Sequence, residues 1–356
     1  SEFSHFLETY FSCGELFHIV NQIEIKGDFK LIETFKGGSN ALTILLSDKN
    51  ENQIVRKIVL SGYEEKLKKQ AAWIKEKNKL VHFPKIINQG NIGNGNGAAA
   101  YFYDMEYVRN STHFFDFIHN NPADNSREML DAILGFLNQS LYLNRQHIKS
   151  MEDLDYYIDS KVLTKVRDVS LADKEIMNLL QFDRLMINNV EYDNLPAAIE
   201  KLRANENAVS ELSCYCKSQI HGDLTIDNIL VTDRNDFVLL DSNDENFISD
   251  PIVDMAKLYQ SLHSGYEFLI ALKDSQISGN TLRFDENISL KYSHLYTYLS
   301  GRLEKELPAG QFRSIIFHEA VHYCRMLPYR MKLNRPTAPV FYAIAVRLFN
   351  QYLSQF

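Results

Sequence analysis

The apolar residues of this chain change their spacing partway along it and then change back once, and few folds accommodate both switches. From 29 to 61 the spacing is that of strands: "FKLIETF", "ALTILLS" and "QIVRKIVLS", separated by the turn-formers "KGGSN" and "SDKNEN". Such runs predict a meander of antiparallel strands. A helix is predicted at about 63–79, "YEEKLKKQAAWIKEKNK", with Leu67, Ala71 and Ile74 as its apolar stripe. "HFPKIINQGNIGNGNGAAAYFYDMEYV" then reads as two strands joined by a glycine and asparagine loop. No helix opens after Gly90, Gly93, Gly95 and Gly97, which favours a hairpin loop over a phosphate loop. Past Val108 the spacing becomes helical, in "REMLDAILGFLNQSLYLNRQHI" and again through about 153–185. Strand character returns only at 219–241, and the chain after 250 is again mostly helical.

At 356 residues the chain exceeds what one core usually fills, so two lobes are expected. The pattern divides them as a small β-rich lobe over 1–107 and a larger helical lobe over 108–356, with the link near 105–109. A net charge of -8 with no long basic run disfavours extended nucleic-acid binding, which needs a cationic footprint. No run of about 18 apolar residues predicts a membrane span. The first twenty residues lack the basic-then-apolar order of a signal peptide, so a cytoplasmic protein is expected. Cys13, Cys214, Cys216 and Cys324 make neither a zinc set nor a disulfide framework, and read as idle thiols. Nothing in the sequence fixes an oligomeric state.

The returning strands carry the chemistry. In "QIHGDLTIDNILVTDRNDFVLLD", residues 219–241, the apolar runs "ILV" and "FVLL" flank the turn material "TDRND" and predict a hairpin. A hairpin brings its outer ends together, so Asn228 before the first strand is expected near Asp241 after the second. Asp223 stands five residues upstream on the entering loop. Two carboxylates and an amide oxygen are hard ligands suited to magnesium. Asp233 and Asp236 belong to the distal turn and should be solvated. Aspartate and asparagine mark turns everywhere, but H-x-D-x-x-x-x-N followed by a short hairpin ending in Asp is the kinase layout.

"HGDLTIDNIL" together with "LLDSND" resembles the aminoglycoside phosphotransferase and choline kinase superfamily, the small-molecule branch of the protein-kinase-like fold. "HGDL" in place of "HRDL", and an "LLDSND" without glycine, favour that branch over protein kinases. The resemblance implies an α+β, bilobal fold with a small antiparallel β N-lobe bearing one helix and a mainly helical C-lobe. It implies that Asp223 is the catalytic aspartate and that Asn228 and Asp241 hold Mg2+, with ATP as the phosphoryl donor.

The N-terminal region offers counterparts. "FKGGSNAL" lies between two strands where a nucleotide-covering loop would be. There Gly37 and Gly38 would let backbone N–H groups approach phosphates, and Ser39 or Asn40 would add a donor. Lys57 in "IVRKIVL" resembles the third-strand lysine that pairs with the nucleotide phosphates; its plainer reading is a solvated strand lysine. The family's partner glutamate falls near Gln70 here, and Glu64, Glu65 and Glu76 do not match cleanly, so the residue orienting Lys57 stays open. "YFYDMEYV" looks like the last strand entering the hinge, with backbone groups of Glu106 and Val108 at the adenine edge and Met105 lining its pocket. In "SDPIVDMAKLYQSL", Asp250 caps a helix with Pro251 at its first position. Asp254 resembles the aspartate that steadies the catalytic loop.

One motif competes. "HEAVH" at 318–322 spells the zinc-protease helix, yet no His, Asp or Glu follows His322 to serve as third ligand. Ile316, Ala320, Cys324 and Leu327 give that helix an apolar face, which leaves His318, Glu319, His322 and Arg325 off it. Glu319, His322 or Arg325 is expected either to contact the phosphate acceptor or to form a solvated face. The last 34 residues hold Arg325, Arg330, Lys332, Arg335 and Arg347 with no acid, which reads as an ion-pairing surface or as a site for an anionic acceptor.

These readings together predict an ATP- and magnesium-dependent kinase acting on an alcohol of a small molecule. "YDMEYVRNSTHFFDFIH" and "HEAVHYCRMLPYR" resemble bacterial members associated with surface-polysaccharide synthesis, which tips the acceptor toward a sugar or polyol. Choline or ethanolamine, or an aminoglycoside, is the alternative, since many Tyr and Phe residues would supply an aromatic cage. A non-catalytic nucleotide-binding regulator and a protein kinase are the readings of another class.

Overall fold

The computed structural model describes residues 29–35, 41–77, 79–93, 99–243, 245–272 and 274–356. By mutual contact they group into two units, Ser1–Thr112 with Leu230–Glu245, and His113–Ile229 with Asn246–Phe356.

In the first unit, β1 (Phe29–Phe35), β2 (Leu42–Asp48), β3 (Gln53–Leu60), β4 (Ile86–Gly93) and β5 (Ala99–Glu106) form one antiparallel sheet, ordered β1-β2-β3-β5-β4. Helix α1 (Glu64–Glu76) has acids in its first turn and Lys75 in its last, which suits the helix dipole. It buries the expected stripe of Leu67, Ala71 and Ile74. Period-two alternation sorts the sheet's side chains into two clusters. Val55, Val59, Tyr101, Tyr103 and Met105 pack with the α1 stripe, while Ile58, Ala100 and Phe102 pack with Leu42, Ile44 and Leu46 on the opposite face.

The returning hairpin is present as β7 (Ile229–Thr232) and β8 (Phe237–Leu239), with the short strand β6 (Ser111–His113) on the far side of β7. The expected split at 107/108 gives the hairpin to the second lobe, whereas Leu230–Glu245 groups with the first unit. Hydrogen bonds supply the physical reason. Leu239 N donates to His82 O at 2.8 Å, Asp233 N donates to Asn110 O at 3.0 Å, and the His82 ring stacks on Phe237 at 4.0 Å.

The second unit is mainly helical. Its principal elements are α2 (Ala123–Ser140), α3 (Pro251–Leu262), α4 (Leu290–Glu306), α5 (Ala309–Leu333) and α6 (Ala338–Leu353). Small strands stand at its margin, among them Arg184–Ile187 paired with Val190–Asp193. Helix α5 packs against both α3 and α6, and that decides the fate of its polar residues. A helix with neighbours on several sides has no solvent face. Alongside Ile316, Ala320, Cys324 and Leu327, it therefore also buries His318, Glu319 and His322. Of Glu319, His322 and Arg325, for which a solvated face is one of the two expectations, Glu319 and His322 are enclosed and Arg325 is half-buried. The α+β class, with the antiparallel sheet first and helices after, is as expected.

Candidate active site

The first unit contributes a buried cation and its acid. Lys57 lies on the α1 face of β3 opposite Tyr103 of β5, and is only 5% exposed. It is not the solvated strand lysine of the plainer reading. Its ammonium pairs with the Asp241 carboxylate. Asp241 follows β8 in a left-handed backbone conformation, φ 56°, which Asp tolerates better than most side chains. Its side chain stays 41% exposed, so the carboxylate is held from one side and open on another.

Gln70 does not hold the lysine. Its Oε1 accepts from Tyr103 Oη at 2.9 Å and its Nε2 donates to Ser242 O at 2.8 Å. Both ends of the amide are thus spent on the lysine's cross-strand neighbour and on the residue after Asp241. The acid that orients Lys57 is Asp241 itself. The hinge residues are mixed: Met105 is buried in the α1-side core, while Glu106 N donates to Lys85 O at 2.9 Å. Any adenine-edge contact by Glu106 therefore falls to its carbonyl. Val108 is half-buried, and its own carbonyl accepts from Ser111 Oγ at 2.7 Å. Gly37, Gly38, Ser39 and Asn40 lie outside the described residues.

The second unit contributes the catalytic-loop candidate. Asp254, fully buried on α3, accepts from His221 N at 2.8 Å and from Gly222 N at 2.7 Å, and Tyr142 Oη donates to it at 2.9 Å. Burial pushes its carboxyl up, against the pull of His221 and these donors. Gly222 has φ 82°, a conformation that glycine adopts without a Cβ penalty, and this turns its N–H toward Asp254. The loop then closes on itself: Asn228 Nδ2 donates to Asp223 O at 2.7 Å, and Ile226 N donates to Ser261 Oγ at 3.1 Å. With its nitrogen engaged, Asn228 has its amide oxygen as the end for a cation.

Asp223 itself has a partner that sequence reading did not find. Lys257 Nζ stands 3.0 Å from Asp223 Oδ1, and the lysine is 8% exposed. Burial works against the Asp223 charge, but Lys257 outweighs it, with smaller help from His221 and Arg325, and the carboxyl is held below the usual carboxylate range. The available signal was spacing: Lys257 is three residues after Asp254, on the same helix face. Asn246 was also missed; its Nδ2 donates to Gly222 O at 3.0 Å and its Oδ1 accepts from Arg325 Nη1 at 2.8 Å.

Of the three acceptor candidates on α5, only Arg325 keeps an open side, being half-buried. Glu319 is fully enclosed, its oxygens taken by His263 Nδ1 at 2.8 Å and by the Ser264 hydroxyl. His322 is also enclosed, with Nε2 3.4 Å from Val253 O, and burial drives its pKa well below the ordinary histidine value, so it is neutral. Both are interior residues joining α5 to the α3 end of the unit, not contacts for an acceptor. The same partners occupy the middle of "HEAVH".

No family model matches the chain, and no curated protein matches it. Among solved structures it is similar to an amicoumacin kinase in complex with AMP-PNP, Ca2+ and Ami, at 12% identity and TM-score 0.49, covering 94% of this chain and 92% of that one. A glucosamine kinase matches at 9% identity and TM-score 0.45, over 92% and 94%. A putative fructosamine-3-kinase from Thermobifida fusca YX-ER1 matches at 11% identity and TM-score 0.45, over 91% and 96%. With identities near a tenth and TM-scores below 0.5, these similarities assign neither a family nor an activity to the chain. Among the described residues, no helix is long and apolar enough to cross a membrane.

Proposed function

We propose that the protein is a nucleotide-dependent small-molecule kinase that moves the γ-phosphoryl group of ATP to an alcohol. The observation that carries this reading is Asp223: an ionised, partly open carboxylate on a loop whose N–H groups are tied to a buried aspartate. A carboxylate held ionised is a weak base, so its first task is to accept a hydrogen bond from the acceptor hydroxyl and aim its oxygen. As the new O–P bond forms and the bond to the β-phosphate bridging oxygen breaks, the hydroxyl proton becomes acidic and passes to Asp223.

Lys57 would bind the nucleotide phosphates, and the loop of Gly37, Gly38, Ser39 and Asn40 would cover them. Asp241, with an exposed carboxylate edge, and Asn228, with an amide oxygen oriented by its engaged nitrogen, are each a hard ligand of the kind magnesium takes. By the sequence resemblance they would hold it. Bound there, the metal would neutralise charge on the phosphates. Met105 and the backbone of Glu106 and Val108 would receive the adenine. A sugar or polyol acceptor in surface-polysaccharide synthesis, and a cytoplasmic location, are the finer readings that the sequence resemblance supports.

Asp223→Asn tests the reading. The variant should bind nucleotide as the parent does and lose turnover by about 10²–10⁴-fold. Near-normal acceptor-stimulated ADP release by that variant would sink the assignment. Nucleotide binding without stimulation by any acceptor in a panel of sugars, amino alcohols and aminoglycosides would favour the non-catalytic regulator, and label appearing on protein would favour a protein kinase.

A further inference from the structure

The arginines near the C-terminus divide sharply by partner. Arg335 pairs with Asp173 at 2.7 Å and Arg347 with Glu286 at 2.6 Å. Arg325 and Arg330 have no carboxylate partner among the described residues, although neither is freely solvated. Arg325 meets only the Asn246 amide oxygen at 2.8 Å and neutral His322 Nδ1 at 3.5 Å. Arg330 is 7% exposed, lies over the rings of Tyr266 and Phe341 at 5.8 and 5.3 Å, and donates through Nη2 to Tyr266 Oη at 3.3 Å. Its Nε is buried with no acceptor among the described residues.

Both cations belong to the neighbourhood of Asp223. Arg325 reaches Gly222, the residue before it, through one intervening side chain, Asn246. Tyr266, which receives the Arg330 hydrogen bond, precedes Glu267, whose Oε1 accepts from Ser261 Oγ at 2.7 Å, and Ser261 Oγ in turn accepts from Ile226 N on the Asp223 loop at 3.1 Å. Glu267, the acid beside Tyr266, does not supply the missing counter-charge. Burial pushes it up to about 8, so it keeps its proton at neutral pH. Asp223 already has Lys257. Enclosing a guanidinium with neutral partners alone is unfavourable unless an anion arrives to complete the site.

We propose that the phosphate acceptor is itself an anion, carrying beside its reactive hydroxyl a carboxylate or phosphate group that Arg325 and Arg330 bind. This rests on the kinase reading above and names the substrate class for it. Arginine's planar fork suits either group. Choline, ethanolamine and aminoglycosides, all cations, would meet repulsion here, and the fitting acceptors are sugar acids, sugar phosphates and their shorter relatives.

The test is calorimetric binding to the full chain saturated with magnesium and a non-hydrolysable ATP analogue, which requires no turnover. Two matched series serve as probes, glycerol with glycerate and glycerol 3-phosphate, and glucose with gluconate and glucose 6-phosphate, with choline beside them. In at least one series an anionic member should bind about tenfold or more tightly than its neutral parent. The better of the carboxylate and the phosphate identifies the group. Arg325→Gln should abolish that preference while nucleotide binding persists, and Arg330→Met should weaken it. Arg347→Gln, at an arginine already paired with Glu286, should leave it intact. Parents or choline binding as tightly as the anions, or no anion binding in either series, or an undiminished preference in Arg325→Gln, would each overturn the proposal. The kinase reading fails separately, through unaltered turnover of Asp223→Asn.

Discussion

Two buried guanidinium groups, one in each unit, have nearly the same apolar setting and opposite electrostatics. Arg56 on β3 lies over Phe29 and Phe102 at 5.0 and 4.2 Å, and meets Asp104 through Nε at 2.6 Å and Nη2 at 2.8 Å. Arg330 also lies over two rings, but its polar contact is a tyrosine hydroxyl and its Nε has no acceptor among the described residues. The first is a finished ion pair, set by register, since Arg56 and Asp104 are direct cross-strand neighbours. The second is an ion pair with one member absent. Stability explains Arg56; it does not explain Arg330, which is buried without an anionic partner among the described residues.

The sharpest way to break the contrast is Asp104→Asn. It should leave Arg56 buried and uncompensated and cost roughly 3–5 kcal/mol, read from chemical denaturation. Arg330→Met, by contrast, should be neutral or stabilising, since an apolar side chain of similar size replaces an uncompensated charge. A loss from Arg330→Met as large as that from Asp104→Asn would mean the two arginines are equally satisfied.

Glu267 offers the next test, because it is the acid that adjoins Tyr266, the tyrosine that receives the Arg330 hydrogen bond. An unfolded glutamate titrates near 4.5, and burial pushes Glu267 up to about 8. Between those values the folded state keeps a proton that the unfolded state has lost. Stability therefore declines as pH rises through that window, by an amount on the order of a few kcal/mol. Glu267→Gln should flatten the decline in melting temperature between pH 5 and 9. An unchanged slope would mean that Glu267 ionises early and is an anion at neutral pH.

The smallest effect concerns the second unit's own finished pair. Lys257→Met removes the cation that most favours the Asp223 charge, so the acidic limb of the pH–rate profile should move toward higher pH. A profile that stays in place would assign the depressed carboxyl to another cause.

How much of this was legible beforehand varies with the range of the interaction. The meander, the α1 stripe, the hairpin and the Asp250 cap all follow from local spacing, and residue types report local spacing well. The role expected of Asp254 rests on the family resemblance instead. The partners of Lys57 and Gln70 depend on contacts between segments far apart in sequence, such as Lys57 with Asp241, and no periodicity encodes them. The partner of Asp223 left one local trace, the three-residue spacing of Lys257 from Asp254. Helix α5 misled for a related reason. Polar residues off an apolar stripe read as solvent-facing, but α3 and α6 enclose the helix, and Glu319 then finds His263 and Ser264. The hairpin's grouping with the first unit was hidden because it rests on main-chain bonds to His82 and Asn110, which any sequence could make.

That grouping bears on the order in which the molecule can be completed. The chain leaves the first unit at Thr112, re-enters at Leu230 and departs again after Glu245. During vectorial synthesis the five-stranded sheet emerges first, yet the hairpin that caps His82 and Asn110, and the aspartate that answers Lys57, emerge more than a hundred residues later. Until then the aspartate that pairs with Lys57 has not been made. A nascent N-terminal fragment is thus unfinished in its electrostatics rather than in its strands, and neither unit can be excised as one continuous stretch of chain.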